Sequence, residues 1–153
     1  MKSVRGFTLV ELVMVIVVIG ILSFYAVARM SQRSDSDAHG YAEQLASTLR
    51  YTQKAAVAQR RTIYVNVDSA TGRVWACLDS ALACTQPLLA PAGGALDLAA
   101  PSGIALSTNG AAQMSFDAMG RPSFASVVQL QVTSTSANFT VRIEPDSGYV
   151  QRL

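Results

Sequence analysis

Histidine is nearly missing from this chain. Among 153 residues there is one, His39, and there are only two cysteines, Cys77 and Cys84. A zinc centre takes roughly three or four protein ligands, so this inventory supports no metal site. No motif sets a base beside a nucleophile, which argues against an enzyme. His39 reads as a solvated residue near a helix start. A phosphate-cradling glycine loop after a strand is lacking too; Gly93-Gly94 lies in an Ala- and Pro-rich stretch and reads as flexible chain. No cofactor is expected.

Charge is scarce where it matters most. Lys2 and Arg5 precede Gly6, and Phe7 to Ala28 then carries a single charge, Glu11. As a helix, those 22 residues reach about 33 Å at 1.5 Å per residue, against a bilayer core of about 30 Å. The leading cations keep the N-terminus in the cytoplasm. A secretory signal would have a shorter apolar run with its small-residue junction after it; here Arg5-Gly6 comes before the run. A plain single-span anchor leaves Glu11 unexplained. A carboxylate there costs about 2.5–3.5 kcal/mol on insertion scales and calls for a positive partner.

The stretch Gly6-Phe7-Thr8-Leu9-Val10-Glu11-Leu12 resembles the type III signal of type IV pilins and type II secretion pseudopilins. The resemblance implies cleavage between Gly6 and Phe7 by a prepilin peptidase, N-methylation of Phe7, and Glu11 as the assembly residue. Cutting exposes an amine at Phe7. Within one helix it lies four residues from Glu11, within facing distance; in a staggered bundle the acid meets a neighbour's amine instead. Either pairing offsets the desolvation of a lone carboxylate. The family often has a proline near the end of the run, where the helix kinks or melts. Here Ala26-Val27-Ala28-Arg29 has none, which puts a proline-driven kink in doubt.

Beyond the run, Ser31 to Gly40 is polar and suits either the cap of a second helix or a loosened stretch of one helix. From Ala38, the residues Ala38, Ala42, Leu45, Leu49, Thr52 and Ala56 form one helical face, widened by Tyr41, Ala46 and Val57. Glu43, Gln44, Ser47, Arg50 and Lys54 occupy the other side. Alternating stretches then predict strands at Thr62–Val67, Arg73–Leu78, Gln113–Asp117, Val127–Thr133, Asn138–Glu144 and Tyr149–Leu153, with Trp75 as a packing anchor. Residues 79–110 show no period and read as a long loop. This predicts an α+β fold, a long helix on a mostly antiparallel sheet. Its segments are a leader (1–6), an apolar helix (7–30), an amphipathic helix (31–61) and a sheet domain (62–153). Cys77 and Cys84 are seven residues apart; export to an oxidising compartment favours a disulfide, with two unpaired thiols as the alternative.

Three further stretches, Leu49-Arg50-Tyr51 to Gln59-Arg60-Arg61, Phe116 to Ser123, and Ser147-Gly148-Tyr149-Val150, resemble the minor pilins of the GspH/FimT group, above all those of mannose-sensitive haemagglutinin pili. The Cys77–Cys84 loop is similar to that subgroup as well. The resemblance implies a minor pilin that sits in the inner membrane before assembly and in a surface pilus afterwards, in a role serving adhesion. Its implied partners are the prepilin peptidase, other major and minor pilins, and the inner-membrane assembly platform. The runner-up is a minor pseudopilin of a type II secretion system, with a periplasmic pseudopilus. DNA uptake is a further alternative, with Arg50, Lys54, Arg60 and Arg61 as nucleic-acid or filament contacts. The chain would fall from a formal +2 to neutrality on losing Lys2 and Arg5, which disfavours nucleic acid.

Overall fold

The computed structural model describes residues 7–153, with the side chains of residues 24–32 outside the description. The leader at residues 1–6 therefore falls outside, as does the question of a kink at 26–29. Two units are distinguished, Met1–Arg33 and Ser34–Leu153. A single helix, α1 (Leu9–Gln59), begins in the first and ends in the second.

In the first unit every described side chain from Phe7 to Ser23 is exposed. Its large apolar residues are 44–78% exposed, so apolar groups point outward all round the helix rather than along one stripe. Among the described residues no helix is long and apolar enough to cross a membrane. The span expected over 7–28 runs on into the undescribed side chains.

The second unit holds the core. Ala38, Ala42, Leu45, Leu49, Thr52 and Ala56 are all fully buried, as their three- and four-residue spacing requires. Val57 departs from this stripe and is 46% exposed. No second helix is capped within Ser31 to Gly40; α1 runs through that stretch. The helix ends at Gln59 and not at residue 61. Arg60 takes a left-handed φ of 49°. The amide of Arg61 then donates to Ala56 O and that of Arg60 to Val57 O, both at 3.2 Å. This bond pair closes a helix C-terminus, normally around a glycine.

The strands form two antiparallel sheets rather than one. In the first, β1 (Ile63–Asp68) lies between β2 (Arg73–Cys77) and β5 (Gln113–Phe116), with β3 (Asp97–Ala99) outside β2. In the second, the order is β4 (Ala105–Thr108), β6 (Val128–Thr133), β7 (Asn138–Ile143) and β8 (Val150–Arg152). Register follows the pleat. Val65 faces Ala76 across β1–β2, and Leu130 faces Val141 across β6–β7. The inward residues of both sheets share one core with the helix stripe. Trp75 is only half-buried, because the alternation of β2 gives the core to Val74 and Ala76. It lies instead under the Arg73 guanidinium, 5.1 Å from the ring centroid.

The long loop expected at 79–110 is corrected. It contains β3 and β4, and isolated bridges join Cys77 to Pro87 and Leu89 to Ala95. These strands are three and four residues long, and β3 buries no side chain fully, so no period marks them. Backbone pairing to β2 and β6 holds them. Cys77 and Cys84 are joined as a disulfide, with Cα atoms 5.6 Å apart. Beside it, Asp79 accepts from the amides of Ala81 and Gln86 and from the Thr85 hydroxyl. The Thr85 hydroxyl, foremost, holds that carboxyl below its ordinary range.

Candidate functional site

The helix start is built by Thr8. Its hydroxyl accepts from the Glu11 amide at 3.3 Å, and its carbonyl from the Leu12 amide at 3.1 Å. That is an N-cap, satisfying amides that lack partners within the helix. Thr8-x-x-Glu11 is also the pattern of a capping box. This local signal is present in the sequence, but the apolar run that follows masks it. Glu11 thereby has a second reason to be acidic, since a carboxylate in the first turn complements the helix dipole. Phe7 precedes the helix and is exposed. Gly6, its expected cleavage partner, lies outside the described residues. An exposed apolar surface of this extent marks an interaction site.

The second cluster lies where α1 ends. Gln53 donates its side-chain amide to two separate turns, at 2.9 Å to Gly120 O and 2.8 Å to Ser147 O. Gly120 has φ +78°, and a Cβ on it would meet Val57 Cγ2 at 3.1 Å. Gly148 has φ +66°, and a Cβ there would meet Gly120 O at 2.5 Å and Gln53 Nε2 at 2.7 Å. Only glycine suits either place. Asp117 caps its own turn, accepting from the amides of Met119 and Arg121 at 2.8 Å. The Arg121 amide, foremost, holds the Asp117 carboxyl below its ordinary range. Arg121 Nε also lies 3.6 Å from Asp117 Oδ2. The sequence stretches around Gly120 and Gly148 thus meet in one clasp on the helix.

The four basic residues do not act as one group. Arg50 Nε donates to Val150 O at 3.1 Å, and Glu43, 3.9 Å from Arg50, also binds Arg152 at 2.9 Å. Arg61 donates to Leu78 O at 2.9 Å. Both are tied into the domain. Lys54 and Arg60 are exposed and make no ion pair among the described residues.

At the opposite end of the domain, Asp35 accepts from the hydroxyls of Ser134 and Ser136 in the β6–β7 turn. Those hydroxyls, Ser134 first, lower its pKa. His39 meets Phe139 edge-on at 5.4 Å. Tyr41 donates to Gly72 O at 2.8 Å, and burial pushes its phenol up to about 12. These groups fasten the helix to the sheets. A groove beside Trp75 has one carboxylate, Asp97, which is spent on Arg73. Among the described residues no three His, Cys, Asp or Glu side chains gather to hold a metal.

The family model for the type II transport protein GspH matches residues 41–152, and the model for the prokaryotic N-terminal methylation motif matches residues 1–27. The fold is similar to that of the type IV minor pilin FimU of Pseudomonas aeruginosa strain PAO1. The TM-score is 0.64 at 17% identity, over 80% of this chain and 90% of that one. It is also similar to the minor pseudopilin EpsH from the type 2 secretion system of Vibrio cholerae. There the TM-score is 0.62 at 14% identity, over 76% of this chain and 96% of that one. No curated protein matches the chain in sequence.

Proposed function

This chain belongs to the GspH family, within the type IV pilin and type II secretion pseudopilin superfamily, and on that footing we propose that it is a minor type IV pilin. In this reading a prepilin peptidase cuts after Gly6 and the new Phe7 amine is methylated. The precursor crosses the inner membrane once, N-terminus cytoplasmic, and enters a filament through the apolar half of α1. Other pilins and the assembly platform are its partners. The observation that carries the reading is the conjunction of a methylation motif over residues 1–27 with an apolar helix whose first turn holds one acid, Glu11. Glu11 meets the Phe7 amine of its own or a neighbouring subunit, which offsets the desolvation of both charges. The pilus is of the haemagglutinin type, and its role is adhesion.

Mass spectrometry of the native N-terminus tests the processing. Sheared filaments should yield a chain beginning at methylated Phe7; a filament chain retaining Met1 to Gly6 refutes it. Glu11→Val and Glu11→Ala should still insert in the membrane but enter filaments poorly. Normal incorporation of both refutes the pairing role. The likeness to a secretion pseudopilin supports a second reading, a minor pseudopilin. Deleting the chain's gene separates the two: loss of surface fibres favours the pilus, and loss of protein secretion with fibres intact favours the pseudopilus.

A further inference from the structure

The clasp at the end of α1 presents side chains that are largely exposed, among them Met119, whose sulfur accepts from Arg121 Nη2 at 3.1 Å. Met119 is 74% exposed and Tyr149 is 59% exposed, and Val57 adds its half-exposed side chain beside them. Met119 precedes Gly120 and Tyr149 follows Gly148, the two glycines that touch across Gln53. The backbones that carry the three therefore lie close together around Gln53. Their backbones are held firmly, by the two Gln53 bonds, by the Asp117 cap, by Gly148 N to Glu144 O at 2.9 Å, and by Tyr149 N to Ser147 Oγ at 3.2 Å. A methionine and a tyrosine on pre-ordered turns lose little freedom on contact, and both types favour protein interfaces. The charges nearby are unequal. Lys54 adjoins Gln53 and Val57 on the helix, and Arg60 follows Val57 one turn on; neither has an ion pair among the described residues. Arg121 is balanced by Asp117, which leaves Asp146, in the 144–148 turn, as the opposing charge.

We propose that Met119, Tyr149 and Val57, rimmed by Lys54 and Arg60, form a docking surface for the globular domain of a neighbouring filament subunit with an apolar centre and a carboxylate rim. Charge complementarity selects that occupant, since the rim offers two cations that have no ion pair among the described residues against one acid. The proposal rests on the reading of the chain as a filament subunit, and it adds a contact made by the globular domain and not by the helix. The apolar centre supplies the affinity, and the cations set partner and approach.

Photocrosslinking in cells tests it. p-Benzoylphenylalanine is placed at Met119 of the full chain, with exposed Thr135, on the distant β6–β7 turn, as control. Filaments are sheared, and adducts are mapped by mass spectrometry. The expected adduct joins position 119 to a globular-domain peptide of another pilin-type subunit that contains Asp or Glu. Lys54→Glu with Arg60→Glu should reduce its yield at least about fivefold, the scale of roughly 1 kcal/mol. The same adduct undiminished by charge reversal overturns the proposal, as does an adduct to nucleic acid or lipid. No adduct at 119 from chains present in filaments overturns the surface but leaves the filament reading standing. Absence of the chain from every filament overturns both.

Discussion

Gly148→Ala puts the clasp to its sharpest test. The added methyl would sit 2.5 Å from Gly120 O and 2.7 Å from Gln53 Nε2. One of these is backbone and cannot swing aside; the other is the atom that holds both turns. Left-handed backbone costs a residue with a Cβ about 1–2 kcal/mol, partly offset by about 0.4–1 kcal/mol from a stiffer unfolded chain. Overpacking adds about 1–3 kcal/mol, and each lost Gln53 bond about 1 kcal/mol. The net loss is about 3 kcal/mol. Gly93→Ala is the matched control, because Gly93 has φ +89° but no atom within 4 Å of the place its methyl would take. It should lose only about 1 kcal/mol, the backbone share. Urea unfolding of the full chain in detergent, followed by the fluorescence of Trp75, the single tryptophan, reads the domain directly. With a slope of about 2 kcal/mol per molar, the two midpoints should differ by about 1 M. Equal midpoints would refute the claim that sterics at the clasp, and not backbone angle alone, reserve this position for glycine.

Gly40→Ala should act in the opposite direction. Gly40 lies within α1 with nothing near its absent methyl, so the domain should gain about 1 kcal/mol in the same urea assay. Cys77→Ser with Cys84→Ser should lower stability by about 2.5 kcal/mol, the chain entropy of a loop this short; a midpoint matching the reduced wild type, both below the oxidised protein, would confirm that the bond and not the side chains is responsible. Asp35 gives a pH signature. Its folded pKa is lowered by Ser134 and Ser136, so its contribution is present above the unfolded value near 3.8 and is lost as pH falls through the folded value. Asp35→Asn should flatten the acid limb of urea midpoints measured between about pH 2 and 6; an unchanged limb would refute the clamp.

The helix was legible because its signals are periodic and redundant. Six positions from Ala38 to Ala56 repeat at three and four and are all buried, so a misread residue such as Val57 changes little. The longer strands were legible from β-branched runs of five or six residues, which alternate cleanly in β6 and run buried through Val65–Val67 in β1. The short strands were not, because β3 and β4 exist through the backbones of β2 and β6 and their side chains carry almost no pattern. Trp75 misled because size suggests burial, whereas β2's register fixed it on the outward face. The ties of two arginines were not legible for a related reason. Arg50 and Arg61 look like surface cations until Val150 O and Leu78 O arrive from 100 and 17 residues away.

The clasp shows what kind of information a sequence resemblance carries. The stretches around Gly120 and Gly148 that resemble the GspH/FimT group converge on Gln53, and steric need explains both glycines without reference to any ligand. A resemblance carried by these stretches therefore speaks to how the fold is closed and not to which machine it serves. Residues that tell one machine from another must lie where the fold is indifferent to identity. Met119 and Tyr149 are such positions, because each adjoins a required glycine while its own side chain is mostly exposed and Met119 touches only the surface Arg121 guanidinium through its sulfur. Exchanging either for aspartate should leave the urea midpoint within about 0.5 kcal/mol of wild type while lowering the share of chains recovered in filaments. A loss of stability matching the loss of incorporation would assign these side chains to the fold and strip the surface of its separate role.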